Sequence, residues 1–363
     1  MHGSNLMRGL KEVDPQPRFR FWGGDRMQEQ GGELVRHYRD HNIMGFWEVI
    51  TRLAKIRDNF RVCKADLLEN NPDVLILIDY PGFNLRMARF AKKHGIKVFY
   101  YISPKIWAWR ESRIRKIKAW VDQMFVIFPF EVDFYARHDF SVVYEGNPLI
   151  DAVDSKLRNR ASFGEFIRHQ GLEDKPIVAI LPGSRKQEID RNLGEMIRVI
   201  RHFPDHQYII AGAPSIEKSY YEQYLAVPNL SYVHDQTYDL LSHSRAAIIT
   251  SGTATLEAAL FDVPQVVCYK ANAISYHIAR HFVKVPYISL VNLNMQREVV
   301  KELIQDDMND QSLYQELKRL LDDPEYTDRM RSDYNQLRTK LGGSGASRKV
   351  AEAMYARLQG ADR

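Results

Sequence analysis

An α/β fold with two doubly wound domains is predicted by three features of the sequence. Short apolar runs, many of them rich in β-branched residues, alternate with stretches of helical periodicity, as in parallel sheets covered by helices on both faces. This alternation occurs once on each side of Gly146-Asn147-Pro148, which interrupts regular structure. The 363 residues suffice for two domains of ordinary size. We therefore predict domains at 1–150 and 151–363, with the last helix packing back on the first domain.

Ten segments are predicted to be strands. In the first domain they are RFRFWG (18–23), DVLILID (73–79), KVFYYI (97–102), QMFVIF (123–128) and SVVYEG (141–146). In the second they are PIVAILP (176–182), QYIIAGA (207–213), LSYVHD (230–235), AAIITS (246–251) and PQVVCYK (264–270). Helical stretches lie between them, such as residues 84–95, which Gly95 ends. Residues 2–13 are helical without a preceding strand, so we expect the first sheet to lack a strand.

Composition and charge exclude several classes of protein. With only Cys63 and Cys268 the chain has no disulfide framework, and no group of Cys and His shows metal-ligand spacing. No apolar run approaches the roughly 18 residues that span a bilayer, and the N-terminus has no apolar signal region. The net charge of +5 gives no reason to expect a nucleic-acid partner. A reducing compartment fits these features.

The positive charge is concentrated between Arg86 and Lys118, a segment that contains eleven Lys or Arg and a single acid, Glu111. The end of this stretch is predicted to be a basic helix, framed by three tryptophans: Trp107, Trp109 and Trp120. It is either a solvated helix face with an apolar underside or a surface for anionic headgroups or phosphorylated substrates.

A second apolar cluster, Met44, Phe46 and Trp47, precedes an amphipathic helix in residues 41–56. Such a stripe is either part of the core or an apolar lip that contacts acyl chains or a membrane surface. The sequence slightly favours the apolar lip over a place in the core.

The clearest local motif is VAILPGSRKQEI, residues 178–189, in which a strand, a tight turn and a helix follow one another. The N–H groups at a helix N-terminus attract phosphate oxygens. Gly183 lets the backbone approach closely, Ser184 can donate, and Arg185 can hold two oxygens. The alternative is an ordinary strand-to-helix turn with a surface arginine.

The same arrangement recurs at AAIITSGTATLEAAL, residues 246–260. Ser251, Gly252 and Thr253 leave donors at the helix start, and Glu257 lies about one helical turn beyond Thr253. A carboxylate there can accept hydrogen bonds from a ribose diol, although Thr253 as an N-cap and a solvated Glu257 would also explain the pattern. Two phosphate-type turns in one sheet favour a nucleoside diphosphate.

Asp79 ends the strand at residues 73–79 and precedes Pro81-Gly82. Ligands of open parallel sheets bind outside the carboxyl ends of the strands, so two sheets predict a site in the cleft between them. Asp79 is then placed to take a proton from an attacking hydroxyl; otherwise it is an Asx-type turn residue. No Asp-x-Asp pair occurs in the sequence. A leaving diphosphate must therefore be met by Arg185, helix dipoles and other donors without a metal.

Together these segments resemble the lipid-A-disaccharide synthase family over essentially the whole chain. The most specific are Ser-Pro-x-x-Trp-Ala-Trp-Arg at 103–110 and Leu-Pro-Gly-Ser-Arg at 181–185. The others are PDVLILIDYPGFN (72–84), EGNPLID (145–151), TSGTATLEAAL (250–260) and YISLVNLNMQREVVKELIQ (287–305). The family's glycine-rich loop, Gly-Glu-x-Ser-Gly-Asp, is absent, which we interpret as an N-terminally truncated sequence.

The resemblance implies a GT-B fold and a metal-independent, inverting transferase without a cofactor. Its substrates would be UDP-2,3-diacylglucosamine and 2,3-diacylglucosamine 1-phosphate (lipid X), whose 6-hydroxyl attacks the donor. The products would be a β-1,6-linked lipid A disaccharide 1-phosphate and UDP. The family also implies a Gram-negative bacterium and a cytoplasmic location on the inner-membrane surface, with a homodimer as a possible assembly.

The resemblance also assigns residues. Asp79 is the base, and Arg185, the Ser251–Thr253 turn and Glu257 hold UDP. Asn292 and the segment Gln296, Arg297 and Glu298 line the same pocket. The alternatives are another GT-B enzyme acting on a UDP-N-acetylhexosamine, such as a peptidoglycan glycosyltransferase or an epimerase, and a non-catalytic nucleotide-sugar-binding protein.

Overall fold

The computed structural model describes residues 2–37, 48–109, 111–272 and 285–360, without the side chains of residues 48–54 and 109. The chain divides into two compact units. Unit 1 comprises Met1–Pro148 and Gly342–Arg363, and unit 2 comprises Leu149–Leu341.

Unit 1 contains six described strands. They are β1 (Arg20–Gly23), β2 (Glu33–His37), β3 (Val74–Ile78), β4 (Lys97–Tyr101), β5 (Gln123–Val126) and β6 (Val142–Tyr144). The last four form a parallel sheet in chain order, whereas β1 and β2 form a separate parallel pair. All five strands predicted here are confirmed. β2 was not predicted, because its apolar residues, Leu34 and Val35, are flanked by charged ones.

Seven described helices of unit 1 lie before Pro148, where the first part of the unit ends. They are α1 (His2–Val13), α2 (Asp25–Gln28), α3 (Glu48–Asn70), α4 (Pro81–Lys93), α5 (Ile106–Trp109), α6 (Ile114–Trp120) and α7 (Pro129–Ala136). α4 begins at Pro81, whose fixed φ suits the first helical position. The basic helix predicted between Trp107 and Trp120 is not continuous, because a 3₁₀ turn at Glu111–Arg113 separates α5 from α6.

Unit 2 is built on a six-stranded parallel sheet. Its strands are β7 (Ile177–Leu181), β8 (Gln207–Gly212), β9 (Leu230–His234), β10 (Ser244–Thr250), β11 (Gln265–Tyr269) and β12 (Lys301–Ile304). Their order is β12-β11-β10-β7-β8-β9, so the chain moves outward from β7 and then returns to its other side. This is the Rossmann order, with the topological switch between β7 and β10. The five predicted strands are confirmed; β12 was missed because Lys301 and Glu302 mask its short apolar end.

Eight described helices come next, and all lie in unit 2 apart from Pro148, the first residue of α8. They are α8 (Pro148–Arg158), α9 (Phe163–Gln170), α10 (Lys186–Met196), α11 (Thr237–Ser242), α12 (Thr253–Leu260), α13 (Leu290–Met295), α14 (Asp310–Asp322) and α15 (Pro324–Lys340). α10 and α12 directly follow β7 and β10, so both begin at the switch point. Within the described parts of the chain, no helix is both long and apolar enough to cross a membrane.

The last helix, α16 (Ala346–Leu358), packs against α1 in unit 1. Leu6 of α1 shares a buried cluster with Val350 and Met354 of α16 and with residues of β4 and β5. The helices approach so closely that a Cβ on Gly9 would lie 3.0 Å from the Cβ of Ala351. The two ends of the chain therefore complete one core.

Candidate functional site

The two predicted phosphate-type turns leave neighbouring strands of the unit 2 sheet. β10 pairs with β7 in parallel, with Ile249 opposite Leu181, so both strands end at the same edge. The helices that follow, α10 and α12, start there with their N–H groups unpaired within the helix. Two helix N-termini at one switch point form a positive edge that suits an anionic ligand.

The first turn places Gly183, Ser184 and Arg185 ahead of α10. Gly183 has φ +112°, a conformation that favours glycine, and a Cβ there would lie 2.7 Å from Oε2 of Glu188. Glu188 folds back onto the turn. Its Oε2 accepts the Ser184 N–H at 3.1 Å, and its Oε1 accepts from the Arg185 guanidinium at 2.6 Å.

Glu188 thus occupies the donors that we predicted for phosphate oxygens. A carboxylate held by a backbone N–H and a guanidinium at a helix start imitates an anionic ligand. The ion pair is exposed on the arginine side, where 77% of the side chain is accessible, and such surface pairs are weak. We did not predict this residue, although an acid in the first helical turn was visible in the sequence.

The second turn uses its side chains to fix a neighbouring segment. The Ser251 hydroxyl donates to the Ile288 carbonyl at 2.7 Å, which ties the turn to the segment before α13. Gly252 is extended, with φ 166°, and Thr253 is the exposed first residue of α12. The remaining donors for a ligand are therefore the N–H groups of the helix start and the Thr253 hydroxyl.

Glu257 is a half-buried carboxylate on α12. Burial raises its pKa, and the hydrogen bond from the Tyr238 hydroxyl, 2.9 Å from Oε1, opposes that rise. Tyr238 lies on α11 and was not singled out in the sequence. It fixes the orientation of the carboxylate that we predicted to bind a ribose diol.

Asn292 is fully buried, and every hydrogen-bonding position of its side chain is occupied by a protein group. Its Nδ2 donates to the Val300 carbonyl and to Glu302, each at 2.9 Å, and its Oδ1 accepts from the N–H groups of Val299 and Val300. A direct contact between this side chain and a nucleotide does not fit the structure, because no hydrogen-bonding position is left. Asn292 instead holds the segment that Ser251 contacts.

The segment after α13 is exposed at Gln296, Arg297 and Glu298. Arg297 makes a two-pronged ion pair with Asp333 of α15, with distances of 2.8 and 2.6 Å. Glu298 lies 3.5 Å from Lys301. Arg297 is therefore committed to a partner within unit 2, and Gln296, at φ +56°, marks the end of α13.

In unit 1, Asp79 follows β3 in an unusual backbone conformation. Asp79 and Tyr80 both have positive φ, at 48° and 43°. For residues other than glycine this costs energy and persists only where the surroundings enforce it. Here Asn84 Nδ2 donates to the carbonyls of Ile78 and Asp79, and the Tyr100 hydroxyl also donates to that of Asp79.

The Asp79 side chain itself is exposed. Among the described residues, none donates a hydrogen bond to its carboxylate. The backbone is thus fixed by the protein while the carboxylate stays available, as a general base requires. The predicted apolar lip of Met44, Phe46 and Trp47 lies outside the described residues. In the described ranges, no three His, Cys, Asp or Glu side chains group as metal ligands.

The Ser-Pro-x-x-Trp segment packs around a buried acid. Trp107 Nε1 donates to Glu131 at 3.2 Å, and the other Glu131 oxygen accepts the N–H groups of Ile127 and Phe128. Ser103 lies 2.8 Å from the Tyr135 hydroxyl. Burial raises the pKa of Glu131 to about 7. The motif therefore builds the interior of unit 1 next to the ends of β4 and β5.

Comparison with known proteins extends these observations to the whole chain. Residues 1–356 match the family model described as lipid-A-disaccharide synthetase. Proteins named lipid-A-disaccharide synthase from Geobacter sulfurreducens and Trichlorobacter lovleyi are 37% and 38% identical, and each match covers 97% of this chain and 92% of the relative. The protein of that name from Coxiella burnetii is 35% identical, over 97% of this chain and 94% of its own length.

Solved structures show the same fold at low identity. A putative UDP-N-acetylglucosamine 2-epimerase from Listeria monocytogenes aligns with a TM-score of 0.68 and 13% identity, over 99% of this chain and 94% of its own. A calicheamicin glycosyltransferase aligns with a TM-score of 0.59 and 15% identity, over 99% and 95%. At these identities the likeness concerns the fold alone, and it confirms the predicted GT-B class.

Proposed function

Because the chain belongs to the lipid-A-disaccharide synthase family of glycosyltransferases, we propose that it joins UDP-2,3-diacylglucosamine to 2,3-diacylglucosamine 1-phosphate. In this reaction the 6-hydroxyl of lipid X attacks the anomeric carbon of the donor. The C–O bond to UDP breaks and a β-1,6 glycosidic bond forms. The products are the acylated disaccharide 1-phosphate and UDP.

The observation that carries this proposal is the parallel pairing of β7 with β10, in which Ile249 lies opposite Leu181. It brings two helix N-termini and Arg185 to one edge of a Rossmann sheet, which supports binding of a nucleoside diphosphate. In the proposed complex the diphosphate replaces the Glu188 carboxylate on the Ser184 N–H and on Arg185. Thr253 donates beside it, and Glu257 accepts from the ribose hydroxyls.

Asp79 is the proposed general base. The strained turn at Asp79 and Tyr80 supports this role, because strained backbone held by neighbouring side chains is concentrated at functional sites. The carboxylate takes the proton of the acceptor 6-hydroxyl as the hydroxyl oxygen bonds to the donor. A single displacement of this kind inverts the configuration at the anomeric carbon.

The charge that develops on the leaving UDP is met in this proposal by Arg185 and the starts of α10 and α12. The reaction then needs no divalent cation. An excess of EDTA is expected to leave the rate unchanged. Strong inhibition that Mg²⁺ reverses would refute the metal-independent step.

The proposed reaction is tested by incubating the purified chain with both acylated substrates in neutral detergent micelles. We expect equal amounts of disaccharide 1-phosphate and UDP. Absence of both products would refute the proposal. Conversion of UDP-N-acetylglucosamine to its 2-epimer would favour the epimerase alternative, and UDP binding without turnover would favour a binding protein.

We further propose that the protein works at the cytoplasmic surface of the inner membrane, since both proposed substrates carry acyl chains. The excess of basic residues between Arg86 and Lys118 supports attraction to anionic lipids. Sedimentation with vesicles that contain phosphatidylglycerol tests this location. Equal sedimentation with neutral vesicles would contradict the electrostatic part. Self-association remains a separate proposal, tested by light scattering.

A further inference from the structure

Unit 1 contains a groove that the proposed roles of Asp79 and Arg185 do not use. It has a volume of about 1200 Å³, is open to solvent on one side, and is lined by parts of α3, α4 and α6 and by Arg113 just before α6. Eight Lys or Arg line this basic groove, and none of its described lining residues is acidic. Six of them are Arg57, Lys64, Arg86, Arg89, Lys93 and Lys116.

Several of these cations lie on aromatic rings of the same groove. Lys64 lies 5.3 Å from the ring centre of Phe90, Arg86 lies 5.4 Å from that of Phe60, and Arg89 lies 5.7 Å from that of Trp120. Cation–π contacts of this kind hold a charged group beside an apolar surface. The groove therefore offers positive charge and apolar area side by side, which suits an amphiphile with an anionic head.

The charge in the groove is largely uncompensated. Arg61 pairs with Asp58 at 2.8 Å. Within the described residues, no carboxylate pairs with six exposed cations of the groove, which are Arg57, Lys64, Arg86, Arg89, Lys93 and Lys116. Like charges gathered in a concave site repel one another and attract an anion from solution. A phosphomonoester, with close to two negative charges, is well matched to such a site.

The basic groove begins beside the proposed catalytic base. Pro81 and Gly82, in the first turn of α4, line the groove and follow directly on Asp79 and Tyr80. In the proposed acceptor the attacking hydroxyl and the phosphate lie on opposite sides of one sugar ring. An acceptor whose phosphate lies in the groove can therefore direct its hydroxyl towards the end of the groove beside Asp79.

We infer that the basic groove is the binding site for the phosphate and an acyl chain of the acceptor, which deepens the proposed function and rests on it. The phosphate is held by cations of α4 and α6, including Arg89 and Lys116. The acyl chain lies against Phe60, Leu85 and Phe90. A groove of about 1200 Å³ has room for a single lipid molecule, and its position beside Asp79 favours a substrate over a membrane surface as its ligand.

The experiment uses the double variant Arg89→Gln/Lys116→Gln, which removes the two groove cations that lie over the Trp120 ring. The matched control is Arg137→Gln/Lys349→Gln, which removes two exposed charges of unit 1 that do not line the groove. Binding of 2,3-diacylglucosamine 1-phosphate is compared with binding of the same lipid without its phosphate, both in neutral detergent micelles. UDP affinity is measured in parallel.

We expect the groove variant to bind the phosphorylated lipid about 30- to 100-fold more weakly, since each charge-assisted contact is worth roughly tenfold. Binding of the dephosphorylated lipid and of UDP is expected to change less than about threefold. In turnover assays the KM for lipid X rises much more than kcat falls. The control variant keeps the preference for the phosphorylated lipid.

Equal losses for both lipids, or no loss for either, would overturn the inference. Reduced binding to phosphatidylglycerol vesicles with an unchanged preference in micelles would assign the groove to the membrane surface instead. A second variant on one helix, Arg86→Gln/Lys93→Gln, repeats the measurement if the first does not fold. If the wild-type chain forms no disaccharide, the proposed reaction fails, while the binding comparison still decides the role of the groove.

Discussion

In unit 2 the charged side chains around the proposed nucleotide site are paired within the protein, whereas in unit 1 the carboxylate of the proposed base and most cations of the basic groove have no ionic partner among the described residues. Glu188 holds Arg185, Tyr238 holds Glu257, and Asp333 holds Arg297. In unit 1, Asn84 and Tyr100 fix the backbone of Asp79 but do not contact its carboxylate. Both units contain a parallel sheet with helices. The difference in charge pairing therefore comes from their turns and surface side chains and not from the type of sheet.

This difference indicates two ways to prepare a binding site. In unit 2 the Glu188 carboxylate holds the Ser184 N–H and Arg185 in place. In the proposed complex a diphosphate displaces this carboxylate, so breaking the ion pair reduces the net free energy of binding. In the basic groove of unit 1, most cations have no carboxylate partner among the described residues, so an anionic ligand would relieve their mutual repulsion on binding. Three substitutions test this contrast, and a fourth tests the buried acid of unit 1.

The largest effect is expected for Asp79→Asn. The amide cannot accept the proton of the acceptor hydroxyl, so turnover should fall about 10²- to 10⁴-fold while UDP affinity stays unchanged. The matched control is Asp73→Asn, an exposed acid just before the other end of the same strand. Near-normal turnover of Asp79→Asn, or an equal loss in the control, would remove Asp79 from the role of base.

Glu131→Gln should change how stability depends on pH. Burial raises the pKa of Glu131 from 4.5 to about 7. Below pH 4.5 the Glu131 carboxyl is protonated in both the folded and the unfolded protein. Between pH 4.5 and 7 the carboxyl is ionised in the unfolded chain but still protonated in the folded protein. Rising pH therefore stabilises the unfolded chain and lowers the stability of the wild type. Relative to the Gln variant, the wild type should lose about 3 kcal/mol of unfolding free energy across that window.

Denaturant unfolding of both proteins at pH 4.5, 6 and 7.5 measures this difference. A difference between the two proteins that does not depend on pH would show that Glu131 titrates normally. Trp107 fluorescence, compared with a Trp107→Phe background, reports the local environment.

Arg185→Ala should weaken UDP binding about 10- to 30-fold, because one charge-assisted contact to the diphosphate is lost. The control is Arg198→Ala, which removes an exposed arginine from a similar i,i+3 pair with Glu195, beyond the other end of α10. Calorimetric titration with UDP provides the measurement. Unchanged affinity in Arg185→Ala would contradict the assignment of this turn to the diphosphate.

The smallest effect is expected for Tyr238→Phe, which removes the hydrogen bond to Glu257 without changing the shape of the side chain. Glu257 loses its orientation, and UDP affinity should fall about three- to fivefold, in line with one neutral-to-charged hydrogen bond made through a positioning residue. Binding of UDP is compared with binding of 2′-deoxy-UDP. A loss of equal size for both ligands would argue against contact between Glu257 and the ribose diol.

The sequence predicted the local elements well and the partnerships between them poorly. All ten predicted strands are present, since their apolar runs mark them independently of context. β2 and β12 were not predicted because their apolar runs are only two residues long and are flanked by charged residues. The sequence did not reveal Glu188 as the partner of Arg185 or Tyr238 as the partner of Glu257. It also did not reveal that protein groups fill every hydrogen-bonding position of Asn292. Each of these contacts depends on how separate segments pack.

The sequence by itself determined where strands end, where helices start, and that Asp79, Arg185 and Glu257 follow such ends. These features depend on local backbone preferences and on periodicities of a few residues. Only the tertiary structure decided that β7 and β10 are neighbours, that α1 packs on α16, and that cations from Arg57 to Lys116 line one groove. Those contacts join residues far apart in the chain, and they form only where the buried faces of whole elements are complementary.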